Sequence, residues 1–152
     1  MHYWLFKSEP DIFGIDHLRE MPGKKDHWDG VRNYQARNMI RDEMRKGDLG
    51  FFYHSSCPVP GIVGTVTIVS DPYPDHTALD PDAKYYDPKA TAENPRWFMV
   101  DVRYKKKFRD VITLDVLKAN RKLANMRLVQ KGNRLSVMPV MADEWKIIND
   151  MA

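Results

Sequence analysis

The sequence predicts an α+β fold. Three observations carry this expectation. Five or so short runs are rich in aromatic and β-branched residues, the composition of strands. Between and after them lie segments whose apolar residues recur at helical spacing. No repeat, low-complexity stretch or composition break divides the 152 residues, so the elements belong to one domain spanning 1–152.

Residues 2–7 (His2-Tyr3-Trp4-Leu5-Phe6-Lys7) read as a buried strand. Ser8-Glu9-Pro10 ends it, because proline lacks an N–H and biases the residue before it away from helix. A short helix over 15–21 stops at Pro22-Gly23, and residues 24–27 read as a polar loop leading to Trp28. Asn33 is a good N-cap for a helix over 33–46. Ala36, Met39, Ile40 and Met44 lie near one face of it, and Gly47 is the stop. Residues 48–54 form a strand, 56–61 a turn cluster with two prolines, and 62–69 a β-branched strand.

The Pro- and Asp-rich stretch 71–95 is long for a connection inside a domain, and such loops are functional or disordered. Tyr73, Tyr85 and Tyr86 argue for order, since rings of that size pack when they can. Residues 97–109 read as a long strand whose second half is basic. Thr113 caps a helix over 114–120, residues 135–138 form a short strand, and 142–151 a last helix with Trp145 and Ile148 inward.

Composition excludes several classes. A hydrophobic content of 43% with 30% charged residues fits a water-soluble globular chain. The single cysteine, Cys57, rules out an internal disulfide and suits a reducing compartment. No apolar run approaches a membrane span, and no basic and apolar leader opens the sequence, so a cytoplasmic location is expected. The histidines at 2, 17, 27, 54 and 76 lack ligand spacing, and the aspartates of the 71–82 loop lack the glycine and terminal glutamate of a calcium loop. Neither a metal nor a cofactor is expected. A net charge of +3 permits a nucleic-acid partner without demanding one.

The segment Trp28-Asp29-Gly30-Val31-Arg32-Asn33 is the most informative. It sets a flat ring on a loop just before a helix N-terminus, which carries free N–H donors and partial positive charge. With Arg32 and Arg37 close by, this combination suits a nucleobase and its phosphate. The competing reading is a core tryptophan under a loop.

With Tyr3-Trp4-Leu5-Phe6-Lys7-Ser8-Glu9-Pro10 before it and Phe52-Tyr53-His54-Ser55 after it, the segment resembles the EVE domain of the PUA-like superfamily. The resemblance continues through Gly61-Ile62-Val63-Gly64, Asp75-His76, Tyr85-Tyr86-Asp87-Pro88, Pro95-Arg96-Trp97 and Arg134-Leu135-Ser136-Val137, in order and over nearly the whole chain. It implies a strongly bent or closed, barrel-like β-sheet flanked by helices. It also implies a pocket for a modified base flipped from DNA or RNA, as in the related YTH domains.

The pocket residues carried over are Ser8, Glu9, Trp28, Arg32, Asn33, Tyr53, His54 and Ser55. Ser, His and Glu side chains can donate to or accept from a base edge. Taken singly, each has a blander reading: His54 as a satisfied strand-end histidine, Ser55 as a turn cap, Glu9 and Arg32 as an ion pair holding the rim. Arg37, Arg41 and Arg45, spaced by four, are the expected phosphate track, with the Lys105-Lys106-Lys107-Phe108-Arg109 run as a rival. The expected function is non-catalytic binding of DNA or RNA containing a modified base. The alternatives are a small nucleoside or nucleotide enzyme, drawing on Ser8 or Ser55, His54 and Asp29, and a protein adaptor using the 71–95 loop. No nucleophile-elbow pattern surrounds either serine.

Overall fold

A computed structural model describes residues 1–152. Strand β1 (Tyr3–Ser8) is followed by two short helices, α1 (Pro10–Phe13) and α2 (Ile15–Glu20), and a short strand β2 (Lys25–His27). Helix α3 (Tyr34–Asp42) leads into β3 (Leu49–His54) and β4 (Gly61–Ile68). The small strands β5 (Tyr73–Pro74) and β6 (Phe98–Met99) bracket the long connection, and β7 (Asp101–Thr113) follows. Helix α4 (Leu114–Ala119), strand β8 (Val137–Val140) and helix α5 (Ala142–Met151) complete the chain.

Six strands form one curled mixed sheet in the order β2-β7-β4-β3-β1-β8, and β5 pairs with β6 in a separate ribbon. The order is linear with β2 and β8 as edges, so the sheet is the bent, half-barrel form rather than the closed one. Within it, β1 and β3 are parallel, with Ser8 opposite His54. A parallel pair needs a long crossover, and residues 9–48 supply it with three helices.

Strand alternation divides the apolar residues between two cores. Trp4, Phe6, Phe52, Val66 and Val102 pack with α2, α3 and Trp28 on one face. Leu5, Phe51, Ile62, Met138 and Val140 pack with Leu117 and Ile148 on the other. Trp145 stacks on Phe51 and Tyr3 at 4.3 and 4.8 Å between ring centres, so the inward reading of α5 holds. Gly64 is required where β4 meets β7, because a Cβ there would lie 2.1 Å from the Lys106 carbonyl oxygen.

The expected caps are present. Asn33 Oδ1 accepts from the Ala36 N–H at 3.0 Å, and Thr113 Oγ1 from the Val116 N–H at 3.2 Å.

Three expectations are corrected. Residues 25–27 form β2 rather than a polar loop, because β7 supplies a partner that three residues cannot advertise by periodicity. Helix α3 ends at Asp42, four residues early, as the chain turns through Gly47 at φ +99°. The 71–95 connection is ordered but contains β5 and a 3₁₀ turn at His76–Leu79. No helix is long and apolar enough to cross a membrane.

Candidate functional site

The parallel pairing of β1 with β3 brings two distant segments to one sheet end. The Ser55 N–H donates to the Ser8 carbonyl at 3.0 Å, and the Lys7 N–H to the Ser136 carbonyl at 2.8 Å. Residues 7–9, 55–56 and 134–136 thus help line a cleft of about 700 Å³. Ile12, Phe13, the run 26–31, Lys84 and Tyr85 complete its lining, the last two exposed. This volume lies within the range that binds small ligands. A second cleft, of about 580 Å³, lies between residues 1–2 and 42–48 and has a single hydrophobic lining residue. Its only ring is the His2 imidazole, so it lacks the large aromatic wall that Trp28 gives the first.

Trp28 forms the inner wall. Its N–H donates to the Val100 carbonyl at 2.8 Å. Its ring meets Phe6, Phe52 and Phe13 edge-on, with centroids at 5.2, 5.4 and 6.3 Å. Only 8% of it is exposed, so the protruding plate expected from its loop position is instead a core ring with one side on the cleft. The aromatic residues on three sides hold it rigidly.

Gly30 then turns the chain at φ +81°, and a Cβ there would lie 2.8 Å from the Tyr85 ring. Glycine therefore lets Tyr85 close over the loop, placing the tyrosine, about 45% exposed, on the same cleft as Trp28.

A buried carboxylate ties these parts together. Asp75 accepts from the Gly30 N–H at 2.9 Å, the Arg32 guanidinium at 2.9 Å, and the Thr77 N–H and hydroxyl at 2.9 and 2.5 Å. Burial alone would push its pKa up, yet the bonds from Thr77, Gly30 and Arg32 carry it below the usual carboxylate range. Arg32 also donates to the Tyr85 carbonyl at 2.9 Å. The 28–32 loop and the 75–85 connection are thereby clamped as one unit.

Of the sequence-predicted residues, Ser8, Glu9, Trp28 and Ser55 line the cleft, and four do not. Arg32 is consumed by the clamp, and Asn33 by its helix cap. Tyr53 points to the opposite core, where burial raises its pKa. His54 packs edge-on against Phe52 at 5.6 Å, and its Nε2 accepts the Ile15 N–H at 3.1 Å. Burial pushes its pKa down, which keeps the ring neutral as that acceptor. His17 Nδ1 accepts the adjacent Gly14 N–H at 2.7 Å, so two imidazoles cap the start of α2.

The arginine stripe does not form. Arg37 donates to the Arg96 carbonyl at 2.6 Å and lies over Tyr34, and Arg41 pairs with Asp42 at 2.8 Å. Arg45 falls beyond the end of α3 and turns back onto the Met44 and Asp42 carbonyls. None of the three lines the cleft. Spacing by four implies a shared face only while the helix continues.

Sequence reasoning missed Lys7, Phe13, Lys84, Tyr85, Arg134 and Ser136 as lining residues. The signal was partly present, since Tyr85 and Arg134-Leu135-Ser136 belong to the segments that carry the family resemblance.

The EVE domain model matches residues 2–151. Thymocyte nuclear protein 1 of Danio rerio is 42% identical, aligning over 95% of this chain and 69% of its own length. A protein of Pseudomonas syringae, solved by crystallography, superposes with a TM-score of 0.93 at 54% identity and 98% coverage of both chains. Human THYN1, solved in complex with DNA containing 5-methylcytosine, superposes with a TM-score of 0.94 at 38% identity, covering 99% of this chain and 97% of that one. Matched from its second residue to its penultimate one, and with the fold of these relatives, the chain belongs to the EVE domain family.

Proposed function

We propose that this protein binds DNA carrying a modified cytosine and receives the modified base, flipped out of the helix, in the cleft between Trp28 and Tyr85. The observation that carries the reading is the cleft itself, whose lining combines the buried Trp28 ring, the exposed Tyr85 ring, and hydroxyl and carboxylate side chains. A flipped base needs a flat apolar surface on its faces and hydrogen-bonding groups along its edge. Trp28 and Tyr85 supply the first. Ser8, Ser55 and Ser136 can donate or accept, and Glu9 can accept from an exocyclic amine. The DNA complex of a relative with this fold supports the choice of ligand.

A 5-methyl group is worth about 1 kcal/mol when buried, so it sharpens affinity several-fold, and the edge contacts carry the remaining selectivity. The test is a fluorescence-anisotropy titration with matched duplexes, methylated or unmodified at one cytosine. The methylated duplex is expected to bind several-fold more tightly, with quenching of Trp28 emission on binding. Equal affinities for the two duplexes would overturn the reading.

A further inference from the structure

We infer that Lys7, Lys84 and Arg134 form the phosphate-holding side of the cleft, so that its ligand is a base still attached to its phosphodiester and not a free base or nucleoside. The inference rests on the reading of the cleft as a base pocket.

Its first support is the fate of the other cations. Arg32, Arg37, Arg41 and Arg45 are all engaged by carboxylates or carbonyls of the chain. Other lysines and arginines, among them Lys25, Arg103 and Lys105, are equally free of side-chain hydrogen bonds and ion pairs, but Lys7, Lys84 and Arg134 are the cations that line the cleft, and none of them is paired.

The second support is the separation of charge. Three carboxylates, Glu9, Asp26 and Asp29, line the same cleft, yet none lies within ion-pair distance of these cations. Asp26 and Asp29 instead flank His27, at 3.2 and 3.8 Å. Opposite charges that served only the fold would be expected to meet. Left unpaired in one cleft, both signs stay available to a ligand that carries a donor edge and an anion, which is the charge pattern of a cytidine nucleotide.

The third support is how the ammonium groups are held. Lys84 Nζ lies 5.2 Å from the centre of the Tyr85 ring on the cleft, whereas Lys7 lines the cleft from the end of β1 with its Nζ 5.7 Å from the Tyr53 ring on the opposite sheet face. The rings restrain both lysines without neutralising them. Lys7 is half-buried, and burial lowers its pKa. The three residues come from β1, the 75–85 connection and the loop before β8, and all three line the one cleft.

The experiment compares three probes on the full chain: a methylated duplex, 5-methyl-2′-deoxycytidine and its 5′-monophosphate. The monophosphate is expected to compete with the duplex at least about tenfold better than the nucleoside. The triple variant Lys7→Gln/Lys84→Gln/Arg134→Gln is expected to fold, to lose duplex affinity about 10- to 100-fold at low salt, and to leave nucleoside binding unchanged. Its plot of log affinity against log salt should flatten by about 0.7–0.9 for each phosphate no longer neutralised. A control variant, Lys25→Gln/Arg103→Gln/Lys105→Gln, removes charge from the β2–β7 edge and should leave the slope nearly intact.

An unchanged slope in the cleft variant, a slope lost in the β2–β7 variant instead, or a nucleoside that competes as well as the monophosphate would each overturn the inference while leaving the base pocket standing. A wild-type protein that binds neither duplex nor nucleotide would overturn both. If the triple variant misfolds, Lys84→Gln/Arg134→Gln, which changes exposed side chains only, carries the same test with a smaller change of slope.

Discussion

Replacing Asp75 with asparagine removes one charge while keeping the shape of the clamp. The Asp75 side chain is fully buried, and Arg32 retains 17% of its side-chain exposure. The carboxylate satisfies four donors, two of them the Gly30 and Thr77 backbone N–H groups. Asparagine offers one accepting oxygen and turns an NH₂ toward donors that need an acceptor. Breaking a buried ion pair from one side costs about 3–5 kcal/mol, because the partner charge and its neighbours are left unmet. Since Arg32 is partly wet, the lower end of that range applies. Urea unfolding followed by tryptophan fluorescence should show a loss of about 3 kcal/mol at neutral pH.

The pH dependence gives an independent check. The folded-state pKa of Asp75 is depressed, so the native state holds its proton less tightly than the unfolded chain. Its contribution is complete above the unfolded value of about 3.9 and is lost as pH falls through the lower folded value. The gap between wild type and Asp75→Asn should therefore be flat from neutral pH to about pH 5 and close in stronger acid. Because the clamp also fixes Gly30 and Tyr85, the variant should bind the methylated duplex more weakly even when fully folded. A variant within about 0.5 kcal/mol of wild type, the scale of an ordinary surface substitution, would refute the clamp.

Further perturbations test the rest of the site. Trp28→Ala should lower stability by about 3–5 kcal/mol, since its ring packs on three aromatic neighbours, and affinity by about 1–3 kcal/mol. Unchanged affinity well below the melting temperature would make it a core residue alone. Gly30→Ala puts a methyl at φ +81° and 2.8 Å from Tyr85, and should cost about 1–2 kcal/mol of stability together with affinity for the methylated duplex. Restored affinity in Gly30→Ala/Tyr85→Ala would mean that Tyr85 adds nothing to binding. His54 has a lowered pKa, so the stability it provides is present above about pH 6.5 and falls as the folded-state imidazole protonates and can no longer accept from Ile15. His54→Gln keeps an acceptor without a titration, and urea midpoints from pH 7.5 down to pH 5 should fall less steeply than those of wild type.

Local chemistry alone determined a good deal of this protein. Asn33 and Thr113 cap helices because a short polar side chain before an apolar period can do little else so well. The aromatic and apolar run in 2–7 announced a strand, and the ordered family segments implied a strongly bent or closed sheet, of which the bent form is found. Trp28, Ser8, Glu9 and Ser55, four of the eight residues carried over by resemblance, line the cleft. What the sequence could not carry was the distribution of partners. Arg32, Arg37, Arg41 and Arg45 look alike as free cations in a linear sequence, but tertiary contacts with Asp75 and the Arg96 carbonyl engage the first two, the neighbouring Asp42 pairs with the third, and an early helix end takes the fourth off the shared face. Conversely, Lys7, Lys84 and Arg134 are far apart in the chain and come to line one cleft only when antiparallel pairing of β1 with β8 and the Asp75 clamp bring their segments together. Periodicity reports which way a side chain faces within its own element. Whether that side chain is left unpaired depends on contacts between elements remote in the chain, and only the tertiary structure holds those.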